Sequence, residues 1–201
     1  MSKRVYISSD YSEEQGDRDV VKILTNWGLD KKHVVDFIDM AQVISGSIVK
    51  YNKDCRGCEL KNEFNQQINA SSIVIFIIGD RTKFRTAGSS CERVNKSWLD
   101  SSCTPYKQNA NGKKLCKYPS TCDAGDDVGN INNYSYLRHE FEQAKKKNKQ
   151  IIILYNSLRR ESTWLPSYME GYESQAEPFW IKNVNGEKVG NYEYIKKALG
   201  F

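Results

Sequence analysis

The seven residues SIVIFII, Ser72 to Ile78, constrain the fold more than any other stretch of this chain. The run is apolar after its first position, rich in β-branched side chains, and far short of the roughly 20 residues that a membrane helix needs. A strand that is apolar on both faces must be covered on both faces. That is the situation of a central strand in a parallel sheet flanked by two layers of helices. The rest of the chain supplies units that fit beside it. Arg4 to Ser8 reads as a short strand, and Val20, Val21, Leu24 and Trp27 then recur at helical spacing until Gly28 offers a stop. Val34 to Ile38 reads as a second strand, with Leu60, Phe64 and Ile68 marking a second helix after a polar loop. Gln150 to Tyr155 (QIIILY) is a fourth strand, entered from a helix, and Pro178 to Ile181 a fifth. A last helix carries Tyr192, Ile195 and Leu199 on one face.

Strands alternating with helices predict an α/β, doubly wound sheet of flavodoxin-like type, mainly parallel and five-stranded, with helices on both faces. With 201 residues the chain is expected to form a single domain, 1–201. One segment breaks the pattern: about 81–133 lacks sustained periodicity, is rich in Ser, Asn, Gly and Lys, and holds four of the six cysteines. Connections longer than about 15 residues are uncommon in compact domains unless they serve a function, so this stretch reads as an insertion, a lid or an interaction surface.

Open parallel sheets bind ligands beyond the carboxyl ends of their strands, an edge that here gathers Ser8, Ser9, Asp10, Tyr11, Asp39, Gly79 and Asp80. No G-x-x-x-x-G-K-[ST] and no G-x-G-x-x-G occurs, which argues against a P-loop NTPase and a standard dinucleotide-binding dehydrogenase. A phospho-acceptor receiver domain needs a pair of acids after the first strand, and only Asp10 stands there. Cys55 and Cys58 have the C-x-x-C spacing of half a zinc site, but no second close pair completes it. A weak metal site at Cys55 and Cys58, disulfides in the insertion and free thiols all stay open. The net charge of +5 is spread along the chain apart from Lys145, Lys146, Lys147 and Lys149. That run suits the solvated end of a helix, so no nucleic-acid partner is expected. With no long apolar segment at the N-terminus or elsewhere, the expectation is a cytoplasmic protein without a membrane partner.

The helix that leads into the fourth strand raises a narrower question. At about 100° per residue, Leu137, Phe141 and Ala144 define its apolar stripe, and Glu140 falls roughly 40° outside the edge of that arc. Periodicity therefore predicts Glu140 on the seam between core and solvent, and His139 on the surface.

Three stretches together resemble a known family. They are strand-S-S-D-Y through Ser8–Tyr11, a hydrophobic strand ending in I-I-G-D-R-T, and Y-L-R-H-E-F-E-Q-A-K-K-K-N-K-Q-I-I-I from Tyr136. They are similar to the bacterial TIR-like domains, especially the TIR-like subunit of Thoeris antiphage systems, over roughly residues 3–80 and 134–156. The aromatic-x-x-x-Glu spacing of Tyr136 and Glu140 falls where that family carries its catalytic glutamate. The chain departs in having Tyr where many members have Trp, and in the cysteine-bearing insertion before the motif. The resemblance implies an enzyme that cleaves the nicotinamide–ribose bond of NAD+, an NAD+ glycohydrolase or ADP-ribosyl cyclase, and makes an ADP-ribose-derived signal for a separate effector protein. It implies Glu140 as catalytic residue, with Ser8, Ser9, Asp10, Tyr11, Asp39 and Tyr136 binding substrate. NAD+ is then a substrate and no cofactor is expected, and the protein is expected to self-assemble as a homo-oligomer. Two other readings remain: a non-catalytic TIR-like interaction module, and a nucleoside deoxyribosyltransferase-like enzyme.

Overall fold

The computed structural model of the chain describes residues 3–9, 17–29, 35–39, 56–85, 106–108, 114–116 and 135–201, except the side chains of 39, 56–62, 106–108 and 114–116. Its strands are β1 (Lys3–Ser8), β2 (Val35–Asp39), β3 (Ile73–Ile78), β4 (Tyr106–Gln108), β5 (Lys114–Cys116), β6 (Gln150–Tyr155), β7 (Ala176–Pro178), β8 (Trp180–Lys182) and β9 (Lys188–Gly190). Its helices are α1 (Asp17–Gly28), α2 (Arg56–Ala70), α3 (Tyr136–Lys146) and α4 (Tyr192–Ala198). The main sheet is five-stranded and parallel throughout, in the order β2-β1-β3-β6-β7. The doubly wound α/β fold expected from the alternation is what the chain forms.

The apolar run is the middle strand, β3, and all six of its residues are buried. Its alternate side chains feed two separate cores. Ile73, Ile75 and Ile77 join Val5, Ile7 and Leu154 under α1 and α4, with Val20, Val21, Leu24, Ile195 and Leu199 covering them. Val74, Phe76 and Ile78 join Tyr6, Ile153 and Tyr155 under α2 and α3, whose Phe64, Ile68, Leu137 and Phe141 close that face. Fully burying one such side chain contributes about 1.5–3 kcal/mol, so the two-sided strand anchors both layers at once.

The fifth strand differs from expectation. The sheet adds β7 at Ala176–Pro178, in register with Ile153–Tyr155, and not Pro178–Ile181. Proline has no N–H to carry a ladder onward, and the chain turns there. Phe179 drops into the core, and Trp180–Lys182 pairs antiparallel with Lys188–Gly190 instead. The segment read as an aperiodic insertion opens with a short 3₁₀ turn at Thr82–Phe84 and contains the antiparallel pair β4–β5. Three-residue strands are too short to leave an alternation in the sequence. Among the described residues, no helix is long and apolar enough to cross a membrane.

The carboxyl edge of the sheet is stitched on the α1 side. Asp17, fully buried at the start of α1, accepts a hydrogen bond from Asn156 Nδ2 at 2.8 Å, and Asn156 Oδ1 accepts from Trp180 Nε1 at 2.7 Å. Gly79 leaves room for that carboxylate: a Cβ there would stand 2.8 Å from Asp17 Oδ1. On the α2–α3 side the same edge carries a second carboxylate. The strand order reverses between β1 and β3, the crevice position at which open α/β sheets take ligands.

Candidate active site

α3 begins where Ser135, in extended conformation, turns its hydroxyl to accept from Arg138 N at 3.4 Å, a capping arrangement that satisfies one otherwise orphaned amide. Lys145 and Lys146 close the helix, where cations favour the dipole, and Asn148 takes a left-handed φ of 50° to turn the chain into β6. Phe141 fixes the helix on the sheet, edge-on to Phe76 with ring centroids 5.5 Å apart. Glu140 is thereby carried to the end of β1, where it is fully buried. The Tyr6 hydroxyl donates to Oε1 at 2.7 Å and the Ser8 hydroxyl donates to Oε2. Tyr6 and Ser8 are two apart on one strand and so project from the same face. An ionised carboxylate only accepts hydrogen bonds, which suits two converging hydroxyl donors.

Glu140 is thus inside the core and not on its border, and His139 is not on the surface. His139 is 3% exposed, and its Nε2–H donates to Asn65 Oδ1 of α2 at 2.8 Å. One turn on, Gln143 Nε2 donates to Asn69 Oδ1 at 2.9 Å. A hydrophobic period presumes one buried stripe. α3 is instead covered on two flanks, by the sheet and by α2, which widens its buried sector to include both residues.

The other expected residues fall out unevenly. Ser8 and Ser9 are buried at the end of β1; Ser8 holds Glu140, while Ser9 Oγ has no hydrogen-bond partner among the described residues. Tyr136 lies edge-on to Phe64 at 5.5 Å, walling the α2 side of the helix start. Asp10, Tyr11, the Asp39 side chain, Cys55 and the Cys58 side chain lie outside the described residues. Among the described residues, no three His, Cys, Asp or Glu side chains cluster as a metal site.

Sequence reasoning missed three contributors. Tyr6 was legible in principle, as a hydroxyl two residues before Ser8 on an otherwise apolar strand face. Arg138 and Tyr168 were not. Tyr168 comes from a 3₁₀ turn after β6, held down by the fully buried Met169. Its ring packs 6.0 Å from that of Phe141, and the Arg138 guanidinium lies 6.0 Å from its centroid. Burial pushes its phenol well above the ordinary range and the Glu140 charge adds to this, while the Ser135 hydroxyl and the Arg138 charge pull the other way. Tyr168 is therefore a protonated donor at neutral pH. Among the described residues, no hydrogen bond of ordinary geometry reaches its buried oxygen.

Comparison with protein-family models and with curated proteins returns no match for this chain.

Proposed function

We propose that the chain cleaves the nicotinamide–ribose bond of NAD+ and yields an ADP-ribose-derived product, with Glu140 as the catalytic carboxylate. The observation that carries this reading is a buried glutamate whose two oxygens are aimed by Tyr6 and Ser8 at the carboxyl end of β1. The resemblance to TIR-like domains, built on Tyr136 and Glu140 at the helix start, points to the same residue.

The chemistry follows from charge. As the C1′–N bond breaks, its electron pair leaves with nicotinamide, which departs neutral, and positive charge spreads over C1′ and the ring oxygen of the ribose. A carboxylate fixed in a water-poor site stabilises that charge without first having to reorient. It also accepts hydrogen bonds from ribose hydroxyls, taking them in place of Tyr6 and Ser8. Nicotinamide is already cationic in NAD+, so no strong general acid is required. Capture of C1′ by water, with loss of a proton, gives ADP-ribose; capture by a nucleophile of the same molecule gives a cyclic product. In the Thoeris-like setting that product signals to a separate effector, and the active form is a homo-oligomer.

The complete burial of Glu140 favours a second reading, in which the clamp is purely structural and the domain is a non-catalytic interaction module. Incubating the purified chain with NAD+ and following nicotinamide and ADP-ribose species by mass spectrometry separates the two. The enzymatic reading expects turnover that falls at least about 100-fold in Glu140→Gln. Absence of product at high protein concentration, in an assembled sample, favours the module; unchanged turnover in Glu140→Gln removes Glu140 from the mechanism.

A further inference from the structure

We propose that Arg138 and Tyr168 form an anion subsite beside Glu140 that receives a phosphate group of a nucleotide ligand. Both present donors that find no hydrogen bond of ordinary geometry among the described residues, the Ser135 hydroxyl being the nearest influence on the Tyr168 phenol. Arg138 Nε and the Tyr168 hydroxyl oxygen are each buried without a partner, and the Arg138 side chain has no ion pair or hydrogen bond among the described residues. A buried donor left unsatisfied costs about 1–3 kcal/mol, so two such donors side by side mark a place that an acceptor from outside completes.

Three features select phosphate. The guanidinium is a planar fork that matches two phosphate oxygens, and it rests 6.0 Å from the Tyr168 ring centroid, a contact that limits its orientations. It lies in the first turn of α3, where the helix dipole favours negative charge. Side chains on a helix lean toward its N-terminus, which here carries Arg138 toward the carboxyl edge of the sheet, the same edge that Glu140 faces. Arg138 and Glu140, two apart, differ by about 3 Å along the helix axis but by about 200° around it, so a ligand that meets both spans the N-terminal end of α3. A ligand whose ribose meets Glu140 and whose phosphates lie beyond the ribose has the right order of groups. That last step rests on the reading of Glu140 as the ribose-binding carboxylate; the subsite itself does not.

The test is binding, with turnover as a separate readout. Isothermal titration of the full chain with ADP-ribose, and separately with inorganic pyrophosphate, is compared with Arg138→Met and Tyr168→Phe. The expected result is loss of affinity for both probes, about 10-fold to 100-fold for Arg138→Met and about 2-fold to 10-fold for Tyr168→Phe. Tyr168→Phe is expected to melt no lower than the parent, since it deletes an unsatisfied hydroxyl, which separates lost binding from lost folding. In turnover, KM for NAD+ rises with kcat little changed, whereas nicotinamide riboside, which has no phosphate, is processed equally by parent and variants. Equal affinity for ADP-ribose in parent and both variants, or no binding of either probe to the parent, overturns the subsite. Arg138-dependent binding without any NAD+ cleavage upholds the subsite and removes the proposed activity. NAD+ cleavage with KM unchanged in Arg138→Met does the reverse.

Discussion

The grip of Tyr6 and Ser8 on Glu140 can be measured as stability, without any assumption about activity. Tyr6→Phe removes the 2.7 Å donor to Oε1 and leaves the ring in place; Ser8→Ala removes the donor to Oε2. Each leaves a fully buried carboxylate oxygen short of a donor. Hydrogen bonds to charged groups contribute about 1.5–3 kcal/mol, and for a chain of this length 1 kcal/mol moves Tm by about 2–4 °C. Each single variant should therefore melt about 3–12 °C lower than the parent. Because the two donors serve one carboxylate, their effects should couple and not add. The decisive comparison is Tyr6→Phe/Ser8→Ala/Glu140→Met, in which donors and acceptor are removed together and the side-chain volume is roughly kept. It should recover most of the stability that the double variant loses, since deleting both sides of a buried polar contact is far cheaper than deleting one. Scanning calorimetry of the five proteins gives the full cycle. Single variants that melt with the parent, or a triple variant no more stable than the double, would refute the view that these hydroxyls hold a buried charge.

Asn156→Ala deletes both the donor to Asp17 and the acceptor of Trp180, and should cost about 2 kcal/mol or more in urea denaturation at neutral pH. Gly190→Ala places a Cβ 2.7 Å from Trp27 Cη2 and 2.9 Å from Phe179 Cζ, so overpacking should lower stability by about 1–3 kcal/mol, whereas Gly171→Ser, whose Cβ meets nothing, loses only the left-handed backbone preference. Tyr168 ionises later in the folded chain than in the unfolded one, so above pH about 10 the unfolded state binds fewer protons. Its contribution is complete below that value and is lost as pH rises further. Denaturant melts from pH 9 to 11 should show an alkaline decline that is shallower in Tyr168→Phe.

The sheet was readable because SIVIFII buries all but Ser72 and QIIILY buries its last four residues, and a two-sided apolar run of that length has few other places to go. α1 was readable because only one of its faces is buried in the way periodicity assumes, with Val20, Val21 and Leu24 inward. α3 was misread for the opposite reason. His139 and Gln143 are polar yet buried, because Asn65 and Asn69 of α2 meet them with matching groups at the same four-residue spacing. A hydropathy pattern scores all four as solvent-facing. The clue lay in two helices each carrying polar pairs next to an apolar stripe, and it becomes a contact only once α2 and α3 are known to be neighbours. Tyr168 was beyond reach, since a tyrosine in an irregular loop carries no period, and its position depends on Met169 finding the core.

The clamp on Glu140 joins positions 134 and 132 residues apart in the chain. Everything that supplies the hydroxyls, β1 with its neighbours β2 and β3, precedes residue 86, and everything that supplies the carboxylate, α3 with β6 and β7, follows residue 134. A chain divided between those points separates donor from acceptor and splits the sheet between β3 and β6. Neither fragment holds half of the chemistry in usable form. Two fused halves would regain the site only when brought together, so the protein lends itself to being cut into a proximity reporter whose output is the re-formed clamp.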